Sequence, residues 1–185
     1  MHKVDKWAFR GLLLGDCELL KEGERVTLHL TSSKDNKNYF LFKKSFIEQM
    51  FKVRLPIIET DTTYELILNH KYLKYYYKWL YKNHVKKITL KYLRKILTHK
   101  GVAFWYAERG YTTLENNEHV IYINVGNHIT EAEESRLYLK EFLDIELSIN
   151  LEYTKYQLVI KGNDAIKFMD AIREYIPKCL SDKIF

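Results

Sequence analysis

The sequence consists of two halves that carry the same order of secondary-structure signals and divide near Thr98. In each half, an apolar helical run precedes two alternating segments around a turn, a second helix, a further hairpin and a closing helix. The first turn falls at residues 21–24 in the first half and at ENNE in the second. This repetition predicts two units of the order αββαββα, covering residues 1–97 and 98–185.

Neither unit is large enough to cover its own sheet and helices, so the two are expected to pack around a pseudo-two-fold axis as one compact domain. The opening helices offer the contact. Gly11 and Gly15 lie four residues apart in the first of them, and Ala103 and Ala107 lie four apart in the second. Small residues at that spacing allow two helix backbones to approach closely.

Composition excludes several classes of protein. The chain has 185 residues, 46% of them apolar, but it has no run of 18 apolar residues, so no transmembrane helix is expected. Cys17 and Cys179 fit neither a disulfide framework nor zinc-ligand spacing, and they favour a reducing compartment. The N-terminus lacks the apolar region and the cleavage site of a signal peptide. We therefore expect an intracellular protein of the cytoplasm, nucleoid or organelle matrix.

The positive charge is concentrated in one segment. The net charge is +6, yet residues 66–107 contain ten Lys and Arg residues and no Asp or Glu. Five lysines at helical spacing predict one stripe on an α-helix, namely Lys71, Lys74, Lys78, Lys82 and Lys86. This stripe is either a solvated helix face or a contact for a polyanion such as nucleic acid. The tyrosines and tryptophan of this helix share its apolar side with leucines, so we expect them in the core.

A second candidate contact surface lies on the predicted strands. Apolar and polar residues alternate in residues 25–31, so one sheet face would enter the core and the other would present polar groups. Such a face suits base edges and phosphates, and a solvent-facing sheet has the same pattern. The candidate contacts of the first half are Arg25, Thr27, His29, Thr31 and, on the next hairpin, Lys52 and Arg54. Those of the second half are Lys155, Gln157 and Lys161.

The repeated helices also carry recognisable motifs. WAFRGLLLGDC and GVAFWYAERG resemble the two motifs of the LAGLIDADG homing endonuclease family, in the branch whose motifs usually read GLLLGDG and WYMDDG. The similarity continues through HITEAEESRLYLKEFLDIEL and the ending YIPKCLSDKI, so it covers nearly the whole chain. The resemblance implies an α+β fold of two pseudo-symmetric halves, whose antiparallel sheets form a saddle over the major groove of double-stranded DNA.

The resemblance also implies a site at the ends of the two motif helices. In the family, an acid at the base of each helix binds a divalent metal such as Mg²⁺, and Asp16 matches the first of these acids. Arg109 stands in the place of the second acid, and a guanidinium cannot ligate a cation. Glu108 is adjacent, but one step along a helix rotates a side chain by about 100°. Lys87 and Lys183, each followed by Ile, match basic residues that lie near the phosphate or leaving group in the family.

Three functions are compatible with these residues. The first is a monomeric protein that binds double-stranded DNA and has lost, or nearly lost, cleavage because of Arg109. The second is a Mg²⁺-dependent endonuclease or nickase that uses Asp16 with Glu108. The third is an RNA-binding splicing maturase, since some relatives of this fold have that role and the lysine stripe suits structured RNA equally well. No membrane partner is expected, and motifs such as GxxxxGK[ST] and HExxH are absent from the sequence.

Overall fold

A computed structural model describes residues 5–185, and its secondary structure repeats once along the chain. The first half contains α1 (Asp5–Leu14), β1 (Glu18–Glu22), β2 (Arg25–Ser33), α2 (Lys37–Phe51), β3 (Ile58–Glu59), β4 (Thr63–Asn69) and α3 (Leu73–Leu80). A short hairpin of β5 (Tyr81–Lys82) and β6 (Val85–Lys86), followed by α4 (Leu90–Ile96), leads to the second half. The second half contains α5 (His99–Arg109), β7 (Gly110–Glu115), β8 (Glu118–Gly126), α6 (Ile129–Leu143), β9 (Ser148–Glu152), β10 (Lys155–Lys161) and α7 (Gly162–Ile172). Two 3₁₀ segments follow, at Arg173–Tyr175 and Lys178–Lys183.

Each half contains one four-stranded antiparallel sheet, and the two sheets have the same strand order. The orders are β1-β2-β4-β3 and β7-β8-β10-β9. Helices α2 and α3 pack on one face of the first sheet, and α6 and α7 pack on one face of the second. The structure therefore confirms the predicted α+β fold of two pseudo-symmetric halves with antiparallel sheets.

Alternation along β2 separates a core face from an outer face. Val26, Leu28 and Leu30 are buried, whereas Arg25 and Thr31 are exposed. In the antiparallel register, the buried residues of β2 lie opposite or beside buried residues of β4. Because side chains of a strand alternate between two faces, Arg25, Thr27, His29 and Thr31 point away from the helices.

One hydrophobic core extends through both halves. It includes Phe9 of α1, Phe40 of α2, Trp105 of α5 and Phe168 of α7, all of them fully buried. The longest helices, α2 and α6, have 15 residues each. No helix within residues 5–185 has both the length and the apolar character needed to cross a bilayer.

The two halves meet where α1 packs against α5. A Cβ on Gly11 would lie 2.1 Å from the carbonyl oxygen of Gly101, and a Cβ on Gly15 would lie 2.3 Å from the Cβ of Glu108. Real atoms do not approach this closely, so only glycine fits at Gly11 on α1 and at Gly15, the residue that follows α1. This close approach confirms the predicted contact between the opening helices.

The residues of α5 that make the closest approach differ from those predicted. Gly101, Phe104 and Glu108 supply the nearest atoms to the glycines of α1. Ala103 and Ala107 are buried elsewhere on α5, because a side chain two residues after Gly101 is rotated by about 200° around the helix. The prediction that these two alanines match the glycines is therefore wrong.

The predicted lysine stripe is interrupted. Helix α3 ends at Leu80, and the chain reverses in a two-residue turn at Asn83 and His84, whose φ angles are 51° and 62°. Asn followed by a second residue with positive φ is typical of a tight hairpin turn. Lys82 and Lys86 therefore lie on short strands and not on the helix.

Lys52 and Arg54 are not on a strand, contrary to prediction. Lys52 ends α2 in the left-handed conformation with a φ of 55°, and its N–H donates to the carbonyl oxygen of Glu48. The strand that follows, β3, contains only residues 58 and 59. Pro56, which has no N–H to pair with a neighbouring strand, stands between Arg54 and this short strand.

Replacing Gly11 with Ala will lower the free energy of unfolding by about 2 to 3 kcal/mol, because the new Cβ collides with a backbone carbonyl. Urea and thermal unfolding measure this loss. The matched control is Gly23→Asn, because Gly23 has no neighbouring atom within 4 Å and Asn tolerates its φ of 55°. The control should change stability by less than about 0.5 kcal/mol. A Gly11→Ala protein as stable as the parent would contradict the close packing of α1 and α5.

Candidate functional site

The C-terminal ends of α1 and α5 lie side by side, and this brings Asp16 and Arg109 into contact. Nη2 of Arg109 lies 3.0 Å from Oδ1 of Asp16, and it donates to the carbonyl oxygen of Gly15 at 3.3 Å. The Arg109 side chain is 31% exposed and that of Asp16 is 52% exposed. The carboxylate that was predicted to bind metal is therefore engaged by a cation that does not deprotonate.

Glu108 points in another direction and is buried. Nζ of Lys43, on α2, lies 3.1 Å from Oε1 of Glu108, and the two side chains are only 4% and 1% exposed. Oε2 of Glu108 also accepts the backbone N–H of Asp16 at 3.2 Å. Glu108 thus reaches the backbone at the site, but its charge is neutralised by an ion pair that links the two halves. Lys43 was not predicted at this site, because a single lysine in an amphipathic helix gives no signal of burial.

Two lysines occupy matching positions at the ends of α1 and α5. Lys86 donates to the carbonyl oxygens of Gly15 and Cys17 at 2.7 and 3.1 Å. Lys183 donates to two carbonyl oxygens at the end of α5, at 2.8 and 2.7 Å. Because the C-terminus of a helix carries partial negative charge, each ammonium group stabilises one of these helix ends.

Lys87 does not occupy the predicted position. The counterpart of Lys183 is Lys86, one residue earlier, and Lys87 instead lines a groove beside Lys78 and Lys82. Both Lys87 and Lys183 precede an Ile, so the sequence pattern selected the wrong member of two adjacent lysines. The structure brings Lys86 and Lys183 to the site and leaves Lys87 outside it.

Burial changes the proton affinity of several groups at the site. It lowers the pKa of Lys86 to about 8, and it also lowers the pKa of Lys183. It raises the pKa of the Cys17 thiol to about 12, so Cys17 is not a thiolate at neutral pH. Neither Asp16 nor Cys17 has a positive φ, so the chain enters β1 without the glycine that the family motif has there.

Two clefts flank the ends of α1 and α5. The Asp16 cleft, of about 200 Å³, is lined among others by Asp16, Thr31, Lys43, Glu108 and Lys183. The Arg109 cleft, of about 250 Å³, is lined among others by Lys86, Arg109, Asn124, His128 and Lys155. The acid in the Arg109 cleft, Glu131, accepts the backbone N–H of Ile88, and burial raises its pKa. The Arg109 cleft therefore suits an anion.

The residues at the helix ends do not fit the divalent metal that the sequence resemblance implies. Asp16 and Glu108 each have a cationic partner, and Lys86 and Lys183 add positive charge beside them. A divalent cation would have to displace Arg109 and would then be repelled by the remaining cations. Within the described part of the chain, no three His, Cys, Asp or Glu side chains are grouped so that they could hold a metal ion.

The outer face of the first sheet carries the predicted polar residues of β2. These are Arg25, Thr27, His29 and Thr31. Thr27 and His29 are hydrogen-bonded to each other at 3.1 Å. The register places Glu18 opposite His29 and Glu22 opposite Arg25, so this face is of mixed charge and not uniformly basic.

On the second sheet, Lys155 and Lys161 are exposed but Gln157 is not. Gln157 is 2% exposed, and its Nε2 lies 2.7 Å from Oε2 of Glu152 and 3.1 Å from Oδ1 of Asn124. Its amide hydrogens are therefore used within the sheet. Gln157 is therefore not free for the predicted DNA contact, because side chains of the neighbouring strands β8 and β9 bind its amide.

The lysines of α3 lie on the helical side of the molecule. Leu73, Tyr76 and Leu80 of this helix are buried, and the helix packs on the core face of the first sheet. Lys71 and Lys74 lie at the end of the sheet, where both line a depression with Arg25. Lys78 and Lys82 lie further along and line a separate groove. The predicted lysine stripe and the polar strand face are thus largely distinct surfaces.

Comparison with known proteins identifies both a family and a fold. The model of the LAGLIDADG DNA endonuclease family matches residues 8–168. No match is found among curated protein sequences. The homing endonuclease I-WcaI, bound to its DNA recognition sequence, has a TM-score of 0.86 and 17% identity, over 99% of this chain and 86% of that chain.

Two further solved structures have the same fold. I-DmoI in complex with DNA and Ca has a TM-score of 0.59 and 22% identity, over 91% of this chain and 88% of that one. Meganuclease I-SmaMI, bound to uncleavable DNA, has a TM-score of 0.60 and 11% identity, over 95% of this chain and 86% of that one. At these identities the structural similarity establishes a shared fold.

The ammonium group of Lys86 should titrate with a midpoint near 8, because burial disfavours its charged form. NMR of isotope-labelled lysine side chains measures this midpoint, and the signal that Lys86→Arg removes identifies the residue. In the unfolded chain, the pKa returns to 10.5, so between pH 8 and 10.5 the unfolded state binds more protons. The free energy of unfolding of the parent should therefore rise with pH in this window relative to that of Lys86→Arg. A midpoint near 10.5 would contradict the buried position of Lys86.

Proposed function

Because the chain belongs to the LAGLIDADG DNA endonuclease family, we propose that it binds double-stranded DNA as a single chain and does not cut both strands. The contact between Asp16 and Arg109 carries this proposal. A cation lies 3.0 Å from the exposed carboxylate of Asp16, in the place where the family resemblance implies a metal, and the other carboxylate there, Glu108, is buried. Hydrolysis of a phosphodiester by this kind of site depends on such a metal to activate water and to neutralise charge.

The duplex is proposed to lie along the outer faces of the two sheets. The polar residues of β2 and the exposed Lys155 and Lys161 of β10 are available there. The structures of I-WcaI, I-DmoI and I-SmaMI that share this fold contain DNA, which supports the same mode of binding here. Acids on the outer face of the first sheet, such as Glu18 and Glu22, would favour base-specific contacts over purely electrostatic attraction.

The Arg109 cleft is proposed to receive a phosphate of the bound duplex. The guanidinium group of Arg109 and the ammonium groups of Lys86 and Lys155 line this cleft. A guanidinium forms strong, charge-assisted hydrogen bonds with phosphate oxygens. Because the ion pair between Asp16 and Arg109 is partly exposed, phosphate competes with the carboxylate for the same guanidinium.

A nickase that uses Asp16 with Glu108 is the second candidate function. It is favoured by one observation, the hydrogen bond from the Asp16 N–H to Oε2 of Glu108. The buried ion pair with Lys43 argues against this function. To bind a metal, Glu108 would have to leave Lys43, and among the described residues no other buried carboxylate lies beside Lys43 to replace it. The two candidates differ in whether any strand is cut.

Selection from a random pool of DNA duplexes should enrich a specific site, and a plasmid that carries this site should stay supercoiled with Mg²⁺ or Mn²⁺. Gel electrophoresis of the plasmid measures strand cleavage. Failure to enrich any duplex would contradict the proposed DNA binding. Metal-dependent nicking that Asp16→Asn abolishes would instead establish the second candidate function.

Asp16→Asn and Arg109→Ala should change duplex affinity in opposite directions, without any divalent ion present. Asp16→Asn removes a negative charge near phosphate and releases Arg109, so affinity should rise about two- to fivefold. Arg109→Ala removes a charge-assisted contact, so affinity should fall about tenfold or more. Fluorescence anisotropy in EDTA measures both.

The matched control is Asp144→Asn, which removes the carboxylate from the exposed ion pair of Lys167 and Asp144 at 2.8 Å. Asn also tolerates the φ of 52° at this position. The control should leave affinity unchanged. Loss of duplex affinity in Asp16→Asn, or a requirement of the parent for divalent ions, would contradict the proposed role of Arg109.

A further inference from the structure

The outer side of α3 and the residue before it carry aromatic rings in contact with solvent, although their pattern in the sequence predicted them in the core. Tyr72 and Tyr75 are each 50% exposed, and Trp79 is half-buried. These residues are three and four positions apart, so they form one column along the helix. The ring centroids of Tyr75 and Trp79 are 6.2 Å apart. The core is filled instead by Tyr76 and its leucine neighbours.

Cations accompany both ends of this column. Nζ of Lys71 lies 5.7 Å from the ring centroid of Tyr72. Nζ of Lys95, which comes from α4, lies 4.9 Å from the ring centroid of Trp79. The ring faces are therefore held beside positive charge, and a further planar group that stacks on them would lie within reach of ammonium groups.

A groove of about 540 Å³ continues from Trp79 toward α6. Its lining includes the three lysines Lys78, Lys82 and Lys87. Its two acids, Glu131 and Glu134, accept the backbone N–H groups of Ile88 and Leu90, so they satisfy the chain between β6 and α4. The groove thus extends the aromatic column with groups that bind phosphate.

This surface is separate from the outer faces of the sheets. α3 packs through Leu73 and Leu80 on the core face of the first sheet, so its outer side is turned away from the polar residues of β2. A duplex that follows the strands does not cover Tyr75 or Trp79. The exposed rings and the lysines of the groove are left for another ligand.

We propose that the α3 surface, formed by Tyr72, Tyr75, Trp79, Lys78 and Lys82, binds an unpaired stretch of RNA or DNA. Unpaired bases present their π faces and stack on tyrosine and tryptophan, while their phosphates pair with lysines. A duplex hides its base faces and gains only the lysine contacts. None of these five residues lines the Asp16 cleft or the Arg109 cleft, so binding at the α3 surface does not depend on the proposed duplex binding.

Fluorescence anisotropy with labelled 20-nucleotide poly(U) and poly(dT) tests the α3 surface in the full chain. The double variant Tyr72→Ala, Tyr75→Ala should bind both about tenfold or more weakly, because each ring supplies one stacking contact. Its affinity for duplex DNA should not change. The matched control is Tyr153→Asn, which removes a tyrosine that is 95% exposed at the turn between β9 and β10. It should leave single-strand affinity unchanged.

Two further measurements distinguish the α3 surface from the sheets. The double variant Lys78→Gln, Lys82→Gln should make the fall of log affinity with log salt concentration less steep by about 1.4 for a single strand. Each lost phosphate contact contributes about 0.7 to this slope. Saturating duplex DNA should not displace the labelled single strand. Higher affinity for poly(U) identifies RNA as the ligand, and higher affinity for poly(dT) identifies DNA. Displacement by duplex, or full single-strand affinity in the double tyrosine variant, would overturn the proposal.

Discussion

The close approach of α1 and α5 is the constraint on which the rest of the structure depends. Gly11 leaves no room between its helix and the carbonyl of Gly101, so the two helix axes are fixed relative to each other. Each helix leads directly into the first strand of a sheet, and the helix contact therefore sets where both sheets lie. It also places Asp16 and Arg109 together, although they are far apart in sequence.

Two acids at this junction have different environments because their burial differs. The Asp16 carboxylate is half exposed, and its pairing with Arg109 is of the kind that water and other anions readily exchange. Glu108 is enclosed with Lys43, and removal of either partner from such a pair leaves an uncompensated charge inside the protein. Only the first pair is therefore open to competition by a ligand, and the second holds the halves together.

The sequence was sufficient to predict those features that depend on local periodicity. The repeated order of elements predicted the two sheets, and alternation in β2 predicted which of its residues face outward. Sequence patterns gave wrong predictions where contacts between residues far apart in the sequence determine the position of a side chain. No local signal distinguishes Lys86 from Lys87, or shows that neighbouring strands enclose Gln157. The burial of Lys43 likewise depends on a glutamate on another helix, 65 residues away.

The placement of Glu108 makes the two halves unequal partners. Its side chain fills the space beside Gly15 of the opposite half, where α1 itself has only a hydrogen atom. If two copies of residues 1–97 self-associated through α1, Gly15 would face Gly15, and Lys43 would lose its counter-ion in the interior. The two halves thus present different residues at their contact and are not interchangeable. The two halves are complementary at this contact, and the covalent link between them keeps Gly15 and Lys43 next to Glu108.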